Sequence, residues 1–195
     1  LELKTGFANV RAADPDALLI LNFSISAPNI EGLLSYYGSD IDGDIVSYDR
    51  YSRTNRALES LELIRDTGIA QNRPYWTWLR SYRGPGESDS SASDMRWNVY
   101  SHVLYGYTGF SWFLYQINEG STDAAIEGGS LFASEGDFGS AKTSGFEAAA
   151  QLNAELQNIG PVLTQLTSTD VRYIKGISFL PQPDGTSAWS AGAGG

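Results

Sequence analysis

Five acidic residues stand in polar stretches where a carboxyl could exchange a proton with a substrate: Asp49, Glu87, Asp89, Glu119 and Asp123. Hydrolysis of a glycosidic bond needs two such groups at a defined separation, one as acid and one as nucleophile or base. Asp49 is the best placed of them, within Ser47-Tyr48-Asp49-Arg50-Tyr51, and Glu87 lies in a Gly/Pro/Ser segment whose composition suits a lid. Taken singly, each acid also reads as a solvated surface group, and spacing alone picks out no pair. Rings and polar groups gather at the same places. Tyr51, Trp78, Tyr82 and Tyr115 offer stacking faces, while Asp49, Arg80 and Gln116 add a carboxylate, a guanidinium and an amide. Sugars stack their C–H faces on rings and direct their hydroxyls to such polar groups, so an oligo- or polysaccharide is the expected partner. The competing reading makes many of these rings, Trp76 and Trp112 first, filler between a sheet and its helices.

Other chemistries are thinly represented. His102 is the only histidine, and it falls mid-helix among Val99, Val103 and Tyr105, a setting for a packed side chain rather than a catalytic triad. With one histidine and no cysteine, multi-histidine and thiolate metal sites are excluded, as are disulfides and thiol catalysis. Asp40-Ile-Asp42-Gly-Asp44 superficially resembles a calcium loop. Its sixth position is Ile45 instead of glycine and its twelfth is Tyr51 instead of glutamate, so it reads as a turn before a strand. No phosphate-cradling glycine motif follows a strand, and no cofactor is expected.

The elements that would position these residues follow from hydrophobic patterning. Four short apolar runs (17–23, 44–48, 74–79 and 109–115) are bounded by turn residues and suit strands covered on both faces. Helical patterns occupy 1–13, 54–70, a segment starting at Ser93-Asp94, and 146–158, the last stopped by Gly160-Pro161. Strands alternating with helices at this spacing predict an α/β protein of parallel βα units with right-handed crossovers. Period-two alternation puts Trp76, Trp78 and Arg80 on one side of the third strand. The segments before the strands are tight and those after them are long and polar, which places the candidate residues at the strands' carboxyl ends. Ligands bind on that side of parallel α/β folds.

The 195 residues carry 23 acidic and 13 basic side chains, a formal net charge of −10. That balance argues against a phosphate-tracking nucleic-acid binder, and no apolar run approaches a membrane span. Hydrophobic residues reach 42% and aromatics 12% against 18% charged, so the chain can bury a core and has rings in surplus. Both termini read as cuts. Leu1 lies inside a helical pattern, and the chain closes on Gly192–Gly195 soon after a strand-like Ile177–Leu180.

Asp44–Tyr51, then Arg73-Pro-Tyr-Trp-Thr-Trp78, Asp94-Met-Arg96, Tyr105–Trp112, and finally Ala150–Leu156 with Gly160–Leu163 follow one another in an order that resembles clan A glycoside hydrolases. The resemblance is to the carboxyl half of their (β/α)8 TIM barrel, in the β-galactosidase-like branch. It spans roughly Leu18 to Val171 as a pattern of strand ends and helix starts. It implies that the four strands are the fifth to eighth of a barrel, with residues 1–175 its carboxyl-terminal part and 176–195 the start of a following strand or domain. A small doubly wound sheet complete in itself is the alternative. The family implies retaining hydrolysis of O-glycosyl bonds, with an acid/base Glu after the fourth strand and a nucleophilic Glu after the seventh; a secreted protein, extracellular or periplasmic, is expected. Here Arg80 stands at that nucleophile position, and a guanidinium cannot attack an anomeric carbon. Glu87 or Asp89 in the following loop would then take the role, or the chemistry differs, or the chain is a non-catalytic carbohydrate-binding or structural barrel protein in a larger assembly. Tyr115 matches the aromatic platform beneath the sugar, and Asp49 a rim position that holds hydroxyls.

Overall fold

A computed structural model of the chain describes residues 2–51, 57–84, 90–115, 130–132, 141–173 and 187–188. In order, its elements are α1 (Glu2–Ala13), β1 (Ile20–Ser24), α2 (Ile30–Tyr36) running into a π-helical segment (Tyr37–Ile41), β2 (Ile45–Asp49), α3 (Ala57–Ala70), β3 (Tyr75–Arg80), α4 (Ala92–Leu104), β4 (Gly109–Phe113), α5 (Ser144–Leu163), β5 (Arg172–Tyr173) and β6 (Ser187–Ala188). The protein is α/β. Its main sheet is parallel and built from alternating βα units, with strands in the order β1-β2-β3-β4. β1 lies beside β2 in register from Ile20 opposite Ile45 to Ser24 opposite Asp49. A separate parallel pair joins β5 to β6. The strand-like stretch Ile177–Leu180 lies outside the described residues.

Each apolar run therefore holds a strand, shifted toward its carboxyl end in three of the four cases. The helix expected over 146–158 is longer than the pattern indicated, and Gly160-Pro161 does not stop it. Pro161 sits in the last turn, where its missing N–H removes one hydrogen bond and its fixed φ still suits a helix. The last carbonyls are satisfied beyond it: Thr164 donates to Gly160 O from both its N–H (2.9 Å) and its hydroxyl (3.0 Å), and Gln165 Nε2 donates to Pro161 O at 2.8 Å. At the other end Thr143 caps the helix, its hydroxyl accepting from Phe146 N–H.

Two compact units make up the chain. The first comprises 1–77, 104–109 and 167–195, and the second 78–103 and 110–166. The core of the first is tyrosine-rich. Tyr37, Tyr48, Tyr75, Tyr105 and Tyr107 are all buried in it, with Leu34, Ile45, Val46 and Ile64. Tyr107 meets Tyr75 edge-on at 4.9 Å and Tyr48 at 5.8 Å between ring centroids. Their hydroxyls are spent inward, as Tyr37 donates to Ile45 O (2.7 Å) and Tyr75 to Tyr105 O (2.8 Å). Burial raises the phenol of Tyr105 to about 12. In the second unit the core gathers Leu79, Met95, Val99, Leu131, Phe132, Ala149 and Leu152, with Phe110 and Trp112 packed against it. Nearly half of the eleven tyrosines are thus core filler of one unit, which is where much of the ring surplus goes.

Candidate functional site

In the first unit, β1 and β2 run side by side in register, so Asn22 stands opposite Ser47 and Ser24 opposite Asp49 on one face of the sheet. Three side chains on that face form a chain of hydrogen bonds. The Ser47 hydroxyl donates to Asn22 Oδ1 at 2.9 Å, and Asn22 Nδ2 donates to Asp49 Oδ1 at 2.6 Å. Ser47 is buried, Asp49 half-buried and Asn22 exposed. Burial raises the Asp49 carboxyl above its ordinary value, against the opposing pull of the Asn22 hydrogen bond. A carboxyl so placed holds its proton to higher pH than a solvated one. Tyr51, two residues on, is half-buried.

The second unit holds the ends of β3 and β4. Along β3, Tyr75, Thr77 and Leu79 are buried while Trp76 is half-buried and Trp78 is 38% exposed, which is the expected alternation. Arg80 departs from it. Although on the Trp78 side by parity, it is buried, with its guanidinium carbon 4.5 Å from the centroid of the Tyr82 ring and Nε donating to Tyr82 O at 3.0 Å. Tyr82 is itself buried and meets Phe113 edge-on at 6.0 Å. Ser81 ties the two strand ends together, its N–H donating to Phe113 O (2.8 Å) and its hydroxyl to Leu114 O (2.9 Å). The Phe113–Leu114 peptide is cis. Just beyond, Tyr115 is 46% exposed and rests on Phe132 with ring centroids 4.9 Å apart, its carbonyl accepting from Leu131 N–H.

The residues expected at the site therefore divide. Asp49 and Tyr51 belong to the first unit, and Trp78, Arg80, Tyr82 and Tyr115 to the second. Glu87 and Gln116 lie outside the described residues, as do Asp89, Glu119 and Asp123. Of the rings, Trp78 and Tyr115 are exposed, whereas Tyr82 is buried against Arg80 and Phe113. Trp112 packs on the core of its unit and donates Nε1–H to Asn153 Oδ1 at 3.1 Å, in line with its reading as filler. Two polar residues that hold Asp49, Asn22 and Ser47, escaped sequence reasoning. Their signal was a lone Asn in the apolar run Leu19–Phe23 and a Ser two residues before the acid, both of the parity that shares its face.

Asp40, Asp42 and Asp44 have structural partners. Asp42 takes a left-handed conformation (φ 56°) and pairs with Arg73 at 2.8 Å, while Asp40 lies 3.5 Å from Lys4. Asp44 pairs with Arg11 at 2.9 Å and accepts from Leu19 N–H at 2.6 Å. Partial burial pushes the Asp44 carboxyl up, but these two partners outweigh it and hold it below its ordinary value. Asp40 and Ile41 thus end the π-helical segment instead of lying in a turn, Asp42 to Asp44 lead from it into β2, and the three acids anchor cations of α1 and of the approach to β3. Among the described residues no group of three or more His, Asp or Glu side chains could hold a metal ion. His102 is buried on α4, with Nδ1 2.7 Å from Asn98 O, and burial lowers it to about 4. It is a packed, neutral helix residue. No described helix is long and apolar enough to cross a membrane.

Compared with known proteins, the chain matches no family model, no curated relative and no solved structure.

Proposed function

We propose that the chain is a glycoside hydrolase-like protein that holds a carbohydrate at the carboxyl ends of its strands. One observation carries the reading: at the ends of β3 and β4 a buried guanidinium is fixed on Tyr82, and next along the chain from β4 the open ring of Tyr115 is backed by Phe132. An exposed ring held from behind suits the C–H face of a sugar. The monotonic strand order supports the half-barrel form of the fold over a doubly wound sheet, whose order reverses at a switch point. In the half-barrel reading the sheet supplies the fifth to eighth strands.

Binding without turnover is favoured as a second reading by Arg80. It is buried where the family resemblance implies a nucleophilic Glu, which leaves Glu87 in the following loop as the carboxyl to test. The deciding experiment is an assay of the full chain on aryl glycosides and polysaccharides, with Glu87→Gln as control and Tyr115→Ala as the platform variant. Binding of at least one polysaccharide is expected, weakened roughly tenfold in Tyr115→Ala, the equivalent of about 1.4 kcal/mol. Turnover lost in Glu87→Gln would establish the hydrolase; binding without turnover would establish the second reading. No binding to any member of the panel would sink both.

A further inference from the structure

Asn22 is exposed, yet it is not free to turn. Its amide sits between Ser47 and Asp49, with the Ser47 hydroxyl bonded to Oδ1 and Nδ2 bonded to the carboxylate. A carboxylate only accepts, so Nδ2 must face Asp49. The almost fully buried Ser47 hydroxyl can donate or accept, so it follows that orientation and donates to Oδ1. The parallel register supports the same geometry, because it puts Asn22 directly opposite Ser47 and brings Asp49 opposite Ser24, one step along the same face. The Asp49 carboxylate also takes a hydrogen bond from its own backbone N–H and keeps acceptor capacity beyond these two bonds, while the exposed Asn22 carries a second N–H, a donor. A donor and an acceptor side by side at the exposed edge formed by Asn22 match a hydroxyl group, which both gives and takes a hydrogen bond.

We propose that Asn22 is a positioning residue that fixes the Asp49 carboxylate, and that the Asn22–Asp49 pair reads one hydroxyl of a neutral carbohydrate. The second half of this rests on the carbohydrate reading above; the first half stands on the geometry of the first unit alone. The pair is a specificity element: it rejects a sugar whose hydroxyl is missing or methylated, since the half-buried Asp49 would then be desolvated further with no new donor in return. Asp49 holds its proton to higher pH than a solvated acid, and the bond from Asn22 is the main contact keeping it ionised.

The test has two independent arms. In the first, the Asp49 carboxyl is titrated by 13C NMR in the full chain, in wild type and in Asn22→Ala. Asn22 is exposed, so its removal empties no core; circular dichroism checks that the fold is kept. The expected result is a midpoint that moves up when Asn22 is lost, because a bond favouring the charged form has gone. A smaller upward shift is expected in Ser47→Ala, where the amide loses its second anchor. An unchanged midpoint in Asn22→Ala would overturn the positioning role. In the second arm, binding of neutral cello-, xylo-, manno- and galacto-oligosaccharides is measured for wild type, Asn22→Ala and Asp49→Asn. The expected loss is about tenfold or more in each variant. Wild-type binding that neither substitution weakens would overturn the hydroxyl-reading pair and leave the carbohydrate function standing. Wild type that binds none of the four classes would remove the hydroxyl-reading pair together with the carbohydrate reading, while the titration still decides the positioning role.

Discussion

At the scale of single residues, burial decides which titratable groups of this chain have roles in folding. His102 is the clearest case. Inside α4 its imidazole is stripped of water and kept neutral, its pKa lowered to about 4 by burial, against about 6.5 in an unfolded chain. A depressed folded value means that the unfolded state takes up a proton first. The stabilising effect is fully present above about pH 6.5 and drains away as the pH falls toward 4. Its upper limit is on the order of 3 kcal/mol. Urea unfolding at pH 7 and pH 4.5 should show this loss in wild type, and a markedly flatter dependence in His102→Gln over the same window. An equal slope in both proteins would mean that His102 is not held neutral. This residue was legible in the sequence because its neighbours at helical spacing are apolar. Arg80 was legible as a strand-end cation but not as a buried one, since Tyr82, two residues on, is what covers it. Asn22 was not legible as a partner of Asp49, because their proximity depends on the register of two strands 27 residues apart.

At the scale of elements, the strands and long helices could be read because their apolar positions repeat and turn residues bound them. The segment from Ile30 to Ile41 could not. It holds Gly32 and Gly38 and starts after Asn29 in a left-handed conformation without a side-chain cap, so local signals for a helix are weak. Burial of Leu34, Tyr37 and Ile41 stabilises it instead, a tertiary cause that a window of sequence does not contain. Gly43 shows how closely this turn is packed, since a Cβ there would fall 1.9 Å from the Tyr37 hydroxyl. In the second unit, α4 and α5 are tied by Glu155, which accepts both arms of Arg96 (2.7 and 2.8 Å) and the Tyr100 hydroxyl (2.8 Å). Arg96 and then Tyr100 hold its carboxyl down to about 2. The tie therefore stabilises the fold above an unfolded carboxyl value near 4.3 and is lost as the pH falls toward 2. Thermal melts should show a stability loss between about pH 4.5 and 2 that Glu155→Gln reduces, with the two proteins converging at the acid end. This window lies below that of His102, so the two effects separate on one pH series. A wild-type and variant difference that stays constant across the series would exclude titration of Glu155 as its cause.

At the scale of the molecule, class and unit spacing were legible, whereas strand order and the division into two units were not, because pairing partners lie about 25 to 30 residues apart and no periodicity encodes them. Among the described residues the order β1-β2-β3-β4 makes β2 a central strand and β1 an end strand, and their burial agrees. All of β2 is buried or half-buried, whereas Ile20, Asn22 and Ser24 of β1 are exposed. Parallel sheets are ordinarily covered on both faces, and an end strand leaves half its amides without a partner strand. Hydrogen exchange should therefore rank the strands. Amides of β2 are expected to exchange only through large openings close to global unfolding, and those of β1 through local fraying, with rates at least tenfold faster. β1 amides that exchange as slowly as those of β2 would show that something covers the free edge. Repeating the measurement over a range of protein concentrations then identifies the cover: protection that falls on dilution comes from a second copy of the chain, and protection that does not comes from the chain's own residues.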